Sequence, residues 1–332
     1  MNRVELYLYK LRFKGPVHFG DTGIDLENVQ EHISSDTLFS ALINVVNIYY
    51  GSEVAGQIIE QFLTEPPFKL SSLFIYNREY YFLPRPMDDS FVFEDIRRAK
   101  GKELKKLRWL DKYDFSKWQR RDRLTIDDID TMLERQVDYR NAFLREIRPR
   151  VVIDRSTHQS SIYHCGYIYF KPEAGLYGLV VFYDKSYVEK FKNVLSLLGQ
   201  TGLGGEKTYG CGMFDIVWEE VDSTFLEILN SESGSYTLLS LYHPREDEMD
   251  TLKDSLLAYD IIRKKGWITS GRNTLHLKRK SVGFITEGSV LKSQVKGCLV
   301  DVTPDNPLSL GLTHRVYRYG YAFTAPLKGA KK

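Results

Sequence analysis

Gly202-Leu203-Gly204-Gly205-Glu206-Lys207-Thr208-Tyr209-Gly210-Cys211-Gly212 is the stretch on which the reading of this chain turns, with five glycines between a helix-patterned segment and a strand-patterned one. Each glycine costs the folded chain conformational entropy. Such density therefore signals that positive φ angles and missing Cβ atoms are needed, the geometry by which amide groups close on a bulky anion. Upstream, Ser186 caps a segment with Tyr187, Phe191, Val194, Leu195 and Leu198 at helical spacing, and Gly199 ends it. Downstream, Met213 to Trp218 alternates like a strand. The order helix, glycine loop, strand reverses that of the dinucleotide fingerprint and of the P-loop, so Gly205-Glu206-Lys207-Thr208 is only superficially a nucleotide-binding lysine motif. A loop rich in glycine merely to pack against its sheet is the plainer alternative. One turn needs one or two positive-φ residues rather than five, and phosphate binding is preferred. In that reading the amides of Gly204, Gly205 and Gly210 donate to phosphate oxygens, Lys207 pairs with phosphate and Tyr209 stacks on a base.

Working outward, the 332 residues favour two domains over one, and their apolar content is ample for globular packing. The charged, alternating start and the lack of a long apolar run point to a cytoplasmic protein without a membrane role. Cys165, Cys211 and Cys298 have no paired metal-ligand spacing, so neither a disulfide nor a structural metal is expected. No cofactor or small-molecule substrate is implied. The net charge of +2 is unremarkable, and any polyanion contact must come from local clustering. Ile261 to Thr286 supplies it, with Arg263, Lys264, Lys265, Arg272, Lys278, Arg279 and Lys280 and no acidic residue. Lys264, Lys265, Arg272, Lys278 and Arg279 could funnel a nucleic-acid strand, with Trp267 either a stacking surface or, more commonly for tryptophan, core.

Arg3 to Phe13 alternates as a first strand, with one slip near Lys10. Ser35 can cap a helix over Asp36 to Tyr50, stopped by Gly51, whose apolar circumference places it between its own sheet and a neighbouring domain. Asp36 reads as a first-turn carboxylate favoured by the helix dipole. Leu73–Tyr76 and Tyr80–Leu83 form a hairpin around Asn77-Arg78-Glu79. Residues 86–148 are charged and helix-prone, an insertion whose loss should leave a folded core. Strands resume at Arg150–Asp154, Ser161–Phe170 and Gly178–Phe182. The fold class is α+β: residues 1–218 follow the ferredoxin-like order with antiparallel strands and an embellished connection. Residues 219–332 form a second unit with strand candidates at Tyr236–Tyr242, Leu275–Lys280, Gly283–Thr286, Gly297–Val302 and Tyr319–Phe323.

The glycine loop followed by Phe214 resembles that of the RAMP superfamily, the RNA-binding proteins of CRISPR systems. Leu11-Arg12-Phe13-Lys14-Gly15-Pro16-Val17-His18-Phe19-Gly20 with Ser35-Asp36-Thr37-Leu38-Phe39-Ser40-Ala41-Leu42 is similar to the amino-terminal signature of the guide-capping subunits of type III-A (Csm-type) effectors. Val152-Ile153-Asp154-Arg155-Ser156-Thr157, Glu287-Gly288-Ser289-Val290-Leu291 and His314-Arg315-Val316-Tyr317-Arg318-Tyr319-Gly320-Tyr321-Ala322-Phe323 carry the resemblance to the end of the chain. Arg315 departs from the proline usual after that histidine. The resemblance implies two RRM-like (ferredoxin-like) units and a non-catalytic protein that binds the 5′ tag of the crRNA. It implies two protein partners, the large subunit with polymerase-like and HD domains and the repeated RAMP backbone subunit. The RNA-binding residues it implies are His18, Phe19, Gly202, Gly204, Gly205, Lys207, Thr208, Tyr209, Gly210, Gly212 and Arg318. Arg155 serves equally as a sheet-stiffening ion-pair partner or as an RNA contact. The rival is a metal-independent RAMP endoribonuclease processing precursor crRNA, with His18 or His314 as base.

Overall fold

The alternation near the amino terminus folds as β1 (Glu5–Phe13), and the strand is sealed on both faces: Tyr9 and Leu11 look one way, Leu8 the other, and all three are buried. Lys10, where the alternation slips, shares the second face and is itself buried, with its ammonium 2.7 Å from the Glu219 carboxylate and over the rings of Tyr76 and Tyr81. The computed structural model describes residues 5–20, 26–154, 156, 159–231, 234–268 and 277–329.

After β1 come α1 (Ser35–Tyr50), α2 (Ser52–Thr64), β2 (Phe68–Leu70), β3 (Phe74–Asn77), β4 (Tyr80–Pro84), α3 (Glu94–Lys106), β5 (Trp109–Asp111), α4 (Lys112–Gln119) and α5 (Ile126–Asn141). The first half closes with β6 (Phe143–Ile153), β7 (Ser160–Phe170), β8 (Ala174–Phe182), α6 (Ser186–Thr201) and β9 (Phe214–Glu219). A seven-stranded antiparallel sheet runs β5-β4-β3-β8-β1-β9, with β2 also on β8. Leu8 faces Leu179 of β8, and Leu11 faces Ile216 of β9. The hairpin expected around residue 78 is present, with Asn77 opposite Tyr80 and Arg78 at φ 56°. Helices α1 and α6 cover one face, where Leu38, Leu42, Phe191 and Leu198 join Tyr9 and Leu11.

Three expectations change. The segment 86–148 is helical and charged, but it is no removable appendage. Phe115, Trp118, Ile129 and Met132 roof the second face of the sheet against Phe74, Tyr177 and Leu179. The strands expected at 150–154 and 161–170 are arms of one long hairpin, β6 with β7, paired from Phe143–Phe170 to Ile153–Ser160 and outside the main sheet. Helix α2 went unrecognised although Val54, Ala55, Ile58, Ile59, Phe62 and Leu63 recur at helical spacing, a signal present in the sequence.

The second half contains α7 (Ser223–Asn230), β10 (Ser235–Leu238), α8 (Met249–Ser255), β11 (Leu256–Ala258), β12 (Ile261–Lys264), β13 (Trp267–Ile268), β14 (Leu277–Lys278) and β15 (Val282–Ile285). It ends with β16 (Val290–Leu291), β17 (Leu299–Asp301), β18 (Tyr317–Tyr319) and β19 (Thr324–Leu327). Its four-stranded sheet is β11-β16-β10-β19, and β12–β15, β13–β14 and β17–β18 form separate antiparallel pairs. Among the described residues no α-helix separates β16 from β19; the β17–β18 hairpin lies between them. The strand expected at 236–242 stops at Leu238. Of the one expected at 319–323 only Tyr319 lies in a strand, β18, with residues 320–323 leading to β19; of 275–280 only Leu277–Lys278 pairs, residues 275–276 lying outside the described set.

The halves share one interior. Tyr319 and Tyr321 enter the core of the first sheet, and the Tyr319 hydroxyl accepts the Leu70 amide at 2.9 Å. Helix α1 is sandwiched as expected, but Ser35 does not cap it. Ser34 stands at the cap, and the Ser35 hydroxyl accepts the Leu241 amide from the other half at 3.1 Å.

Candidate nucleic-acid interface

Segments remote in sequence meet at a cleft of about 570 Å3 along the junction of the halves. His18 and Phe19 come from the turn after β1, Gly204, Gly205 and Lys207 from the glycine loop, and Lys264, Lys265, Trp267 and Arg279 from the acid-free hairpins. Arg318 of β18 and Asp36, Ser40 and Asn44 of α1 complete the wall. Nine of the RNA contacts expected from sequence, and Trp267 and Asp36 with them, therefore converge.

Two bonds close the glycine loop on the turn, Gly212 donating to the Pro16 carbonyl at 2.9 Å and Gly205 to that of His18 at 2.8 Å, while Leu203 donates across the loop to the Gly212 carbonyl at 2.9 Å. A Cβ at Gly204 would lie 2.6 Å from the His18 carbonyl oxygen, and one at Gly212 would lie 2.1 Å from that of Leu203, both at positive φ. This corrects the expected use of the amides. Gly205 donates to His18, and Gly210 donates to the Lys207 carbonyl at 2.9 Å, so neither is aimed at a phosphate. The amides of Gly204, Glu206, Lys207 and Thr208 make no hydrogen bond among the described residues and are the donors that remain. Lys207 is exposed at the rim, and partial loss of water around its ammonium holds its pKa below the ordinary lysine value.

His18 is no idle loop histidine. Its ring is buried with Nδ1 2.8 Å from the Gly166 carbonyl, and since a carbonyl only accepts, Nδ1 carries the proton. Side chain and main chain together clamp β7 to the glycine loop. Phe19 is buried edge-to-face on Phe13 and supports the floor from behind.

Among the described residues five cationic side chains, Lys207, Lys264, Lys265, Arg279 and Arg318, line the cleft against the single carboxylate of Asp36. Asp36 is fully buried and accepts from Arg318 Nη1 and, at 3.2 Å, from the Tyr319 amide. It is thus a counter-ion between the halves, beyond the dipole role expected of it. Arg318, expected to contact RNA, is buried too, its Nη2 donating to the Lys265 carbonyl at 2.6 Å. Loss of water, then repulsion by Arg318, pulls the Arg279 pKa down against the pull of Asp36.

The remaining residues sit around this centre. Gly202 caps α6 at its carboxyl end. Thr208, Tyr209 and Gly210 lie on the outer side of the loop, where the Arg150 guanidinium rests 3.9 Å from the Tyr209 ring, itself 65% exposed. Trp267 is 47% exposed rather than core, and the Lys278 ammonium lies 5.0 Å from its ring. Arg155 and Arg272 lie outside the described residues. His314 belongs to a separate pocket of about 120 Å3 with Arg315 and Tyr317. Ser40 and Asn44 were missed, although Asp36, Ser40 and Asn44 recur every fourth residue as a polar stripe on an otherwise apolar helix, a signal present in the sequence.

The geometry agrees with what the chain is similar to. The RAMP superfamily model matches residues 10–215, and the CRISPR Csm4 C-terminal domain model matches residues 231–327. A Thermococcus onnurineus protein named CRISPR system Cms protein Csm4 is 28% identical over 302 residues, covering 87% of this chain and 89% of that one. A chain in the crystal structure of a Csm1–Csm4 cassette in complex with pppApA superposes with a TM-score of 0.62 at 22% identity, covering 98% of both chains. One in the Csm3–Csm4 subcomplex of the type III-A CRISPR-Cas interference complex gives 0.65 at 19% identity, covering 97% of this chain and 100% of that one. With the superfamily model running unbroken from the first strand to the strand after the glycine loop, this chain belongs to the RAMP superfamily.

Proposed function

We propose that the chain is a non-catalytic, guide-capping subunit of a type III-A (Csm) effector complex in antiviral defence, working in the cytoplasm and holding the 5′ tag of the crRNA in the cleft. It links the large polymerase/HD-domain subunit to the first copy of the backbone RAMP subunit. The relatives named Csm4 and the similarity to chains paired with Csm1 and with Csm3 support those partners. One observation carries the RNA reading: among the described residues, five cations and one exposed tryptophan from four separate segments surround a single carboxylate that is already paired. Single-stranded RNA is recognised by such a combination of phosphate contacts and aromatic stacking. Residues 1–218 are read as a ferredoxin-like unit, supported by the strand order β9-β1-β8-β3, and 219–332 as a reduced RRM-like unit. The separation of His18 and His314 into different pockets supports a binding role over general acid–base cleavage.

Titration of the purified full chain with single-stranded tag RNA at several salt concentrations tests this. Affinity should fall steeply and linearly on a log–log plot. Salt-independent binding, or specific cutting in chelator that is lost in His18→Ala or His314→Ala, would replace the proposal.

A further inference from the structure

The cleft does not end at α1. Ser40, Asn44 and Arg279 line it and also line the smaller pocket beyond, whose outer wall includes His314 and Tyr317. Arg279 is the sill between the two. Among the described residues its Nε is buried without a hydrogen-bond partner, and so is Nε of Arg318. The carboxylate that acts on Arg279 is Asp36, which Arg318 and the Tyr319 amide already occupy. Arg318 thus holds that anion, and Arg279 feels it only from beyond ion-pair distance, in a place poor in water. Such an arrangement is costly until a second anion arrives. The other cation nearby, Arg315, is held 2.6 Å from Asp301.

We propose that this sill is a nucleotide subsite in its own right: Arg279 takes an RNA phosphate, and the adjoining base enters the small pocket against Asn44, His314 and Tyr317. The assignment rests on the RNA reading above. A guanidinium fork matches phosphate oxygens, an amide side chain offers both donor and acceptor to a base edge, and the two rings offer stacking faces. Phe39, Ile43 and Ile268 give the pocket an apolar back, suited to a flat ring rather than to the carboxylate of an acidic protein loop.

The test uses the full chain and synthetic single-stranded RNA oligonucleotides, with thermal melts as a folding control. Arg279→Gln should weaken binding about tenfold and lower the salt slope by about one. Asn44→Ala should leave that slope unchanged while flattening the preference among oligonucleotides that differ at one position. If Arg279→Gln keeps both affinity and slope while Lys207→Ala loses them, the subsite is wrong and the RNA reading stands. If neither variant differs from the parent, the RNA reading fails with it. Intact RNA binding with lost capture of the partner subunits would make the sill a protein contact and overturn the proposal. Should Arg279→Gln fail to fold, Asn44→Ala and His314→Ala decide, and unchanged base preference in both overturns the subsite.

Discussion

Asp36, in the first turn of α1, and Arg318, 282 residues later in β18, form a buried ion pair that fastens the two halves of the molecule at the edge of the cleft. Because Arg279 lies within the field of the same carboxylate, beyond ion-pair distance, the two members of the pair are not equivalent. Removing Asp36 strands two guanidiniums; removing Arg318 leaves Asp36 with Arg279.

Asp36→Asn is therefore expected to destabilise the fold by about 3–5 kcal/mol, the usual range for breaking one side of a buried pair, and Arg318→Met by less. The Asp36→Asn/Arg318→Met double variant should recover part of the loss. Urea unfolding of the three proteins gives the order, and a larger loss for Arg318→Met would contradict the shared-carboxylate arrangement.

The glycines of the loop should separate by what a Cβ would meet. Gly210→Ala, at positive φ but with only the Met213 methyl within 4 Å, should cost about 1–2 kcal/mol. Gly204→Ala and Gly212→Ala push into backbone carbonyls and should cost more, and RNA binding should fall with them. Equal effects at all three positions would show that the loop is not held by these close approaches to His18 and Leu203.

Trp118, buried in α4, tests whether the charged insertion is part of the core. Trp118→Ala should destabilise by about 3–5 kcal/mol, and a chain lacking residues 86–141 should not give a cooperative melt. A well-folded deletion would restore the view of the insertion as an appendage.

Asp111 gives a pH dependence of defined sign. Burial pushes its carboxyl up to about 6, although the amides of Tyr81 and Tyr113 donate to it. The folded chain thus keeps a proton that the unfolded chain releases from its ordinary pKa of 3.8 upward, so stability from this group declines as pH rises through 3.8 to about 6 and is flat above. Asp111→Asn should remove a slope worth up to about 3 kcal/mol across that window, seen in urea midpoints at successive pH values.

Much of the frame was legible from period alone. β1, α1 and α6 each bury a face, and burial writes itself into sequence as alternation or as helical spacing. β6 buries almost nothing, with Leu144, Ile147, Val151 and Ile153 exposed, so its apolar residues carried no information about length or partner. The glycine loop was found, but its chemistry was only half read: glycine density reported a close approach of backbone to backbone, at His18 and Leu203, as much as any approach of a ligand. Asp36 was visible as a helix-start carboxylate. Its real partner lies in the other half, and no local pattern encodes that. The stripe of Asp36, Ser40 and Asn44 was in plain view, and reading the helix only for its apolar face hid it.

RNA capture in the cleft is tested most directly by photo-crosslinking mass spectrometry on the assembled complex carrying a guide with photoreactive tag nucleotides. Tag crosslinks at Lys207, Tyr209, Lys264, Lys265 or Trp267, weakened in Trp267→Ala by the roughly 1–3 kcal/mol that one stacked base contributes, are the expected result. Tag crosslinks confined to other subunits, with these five residues untouched, would contradict it.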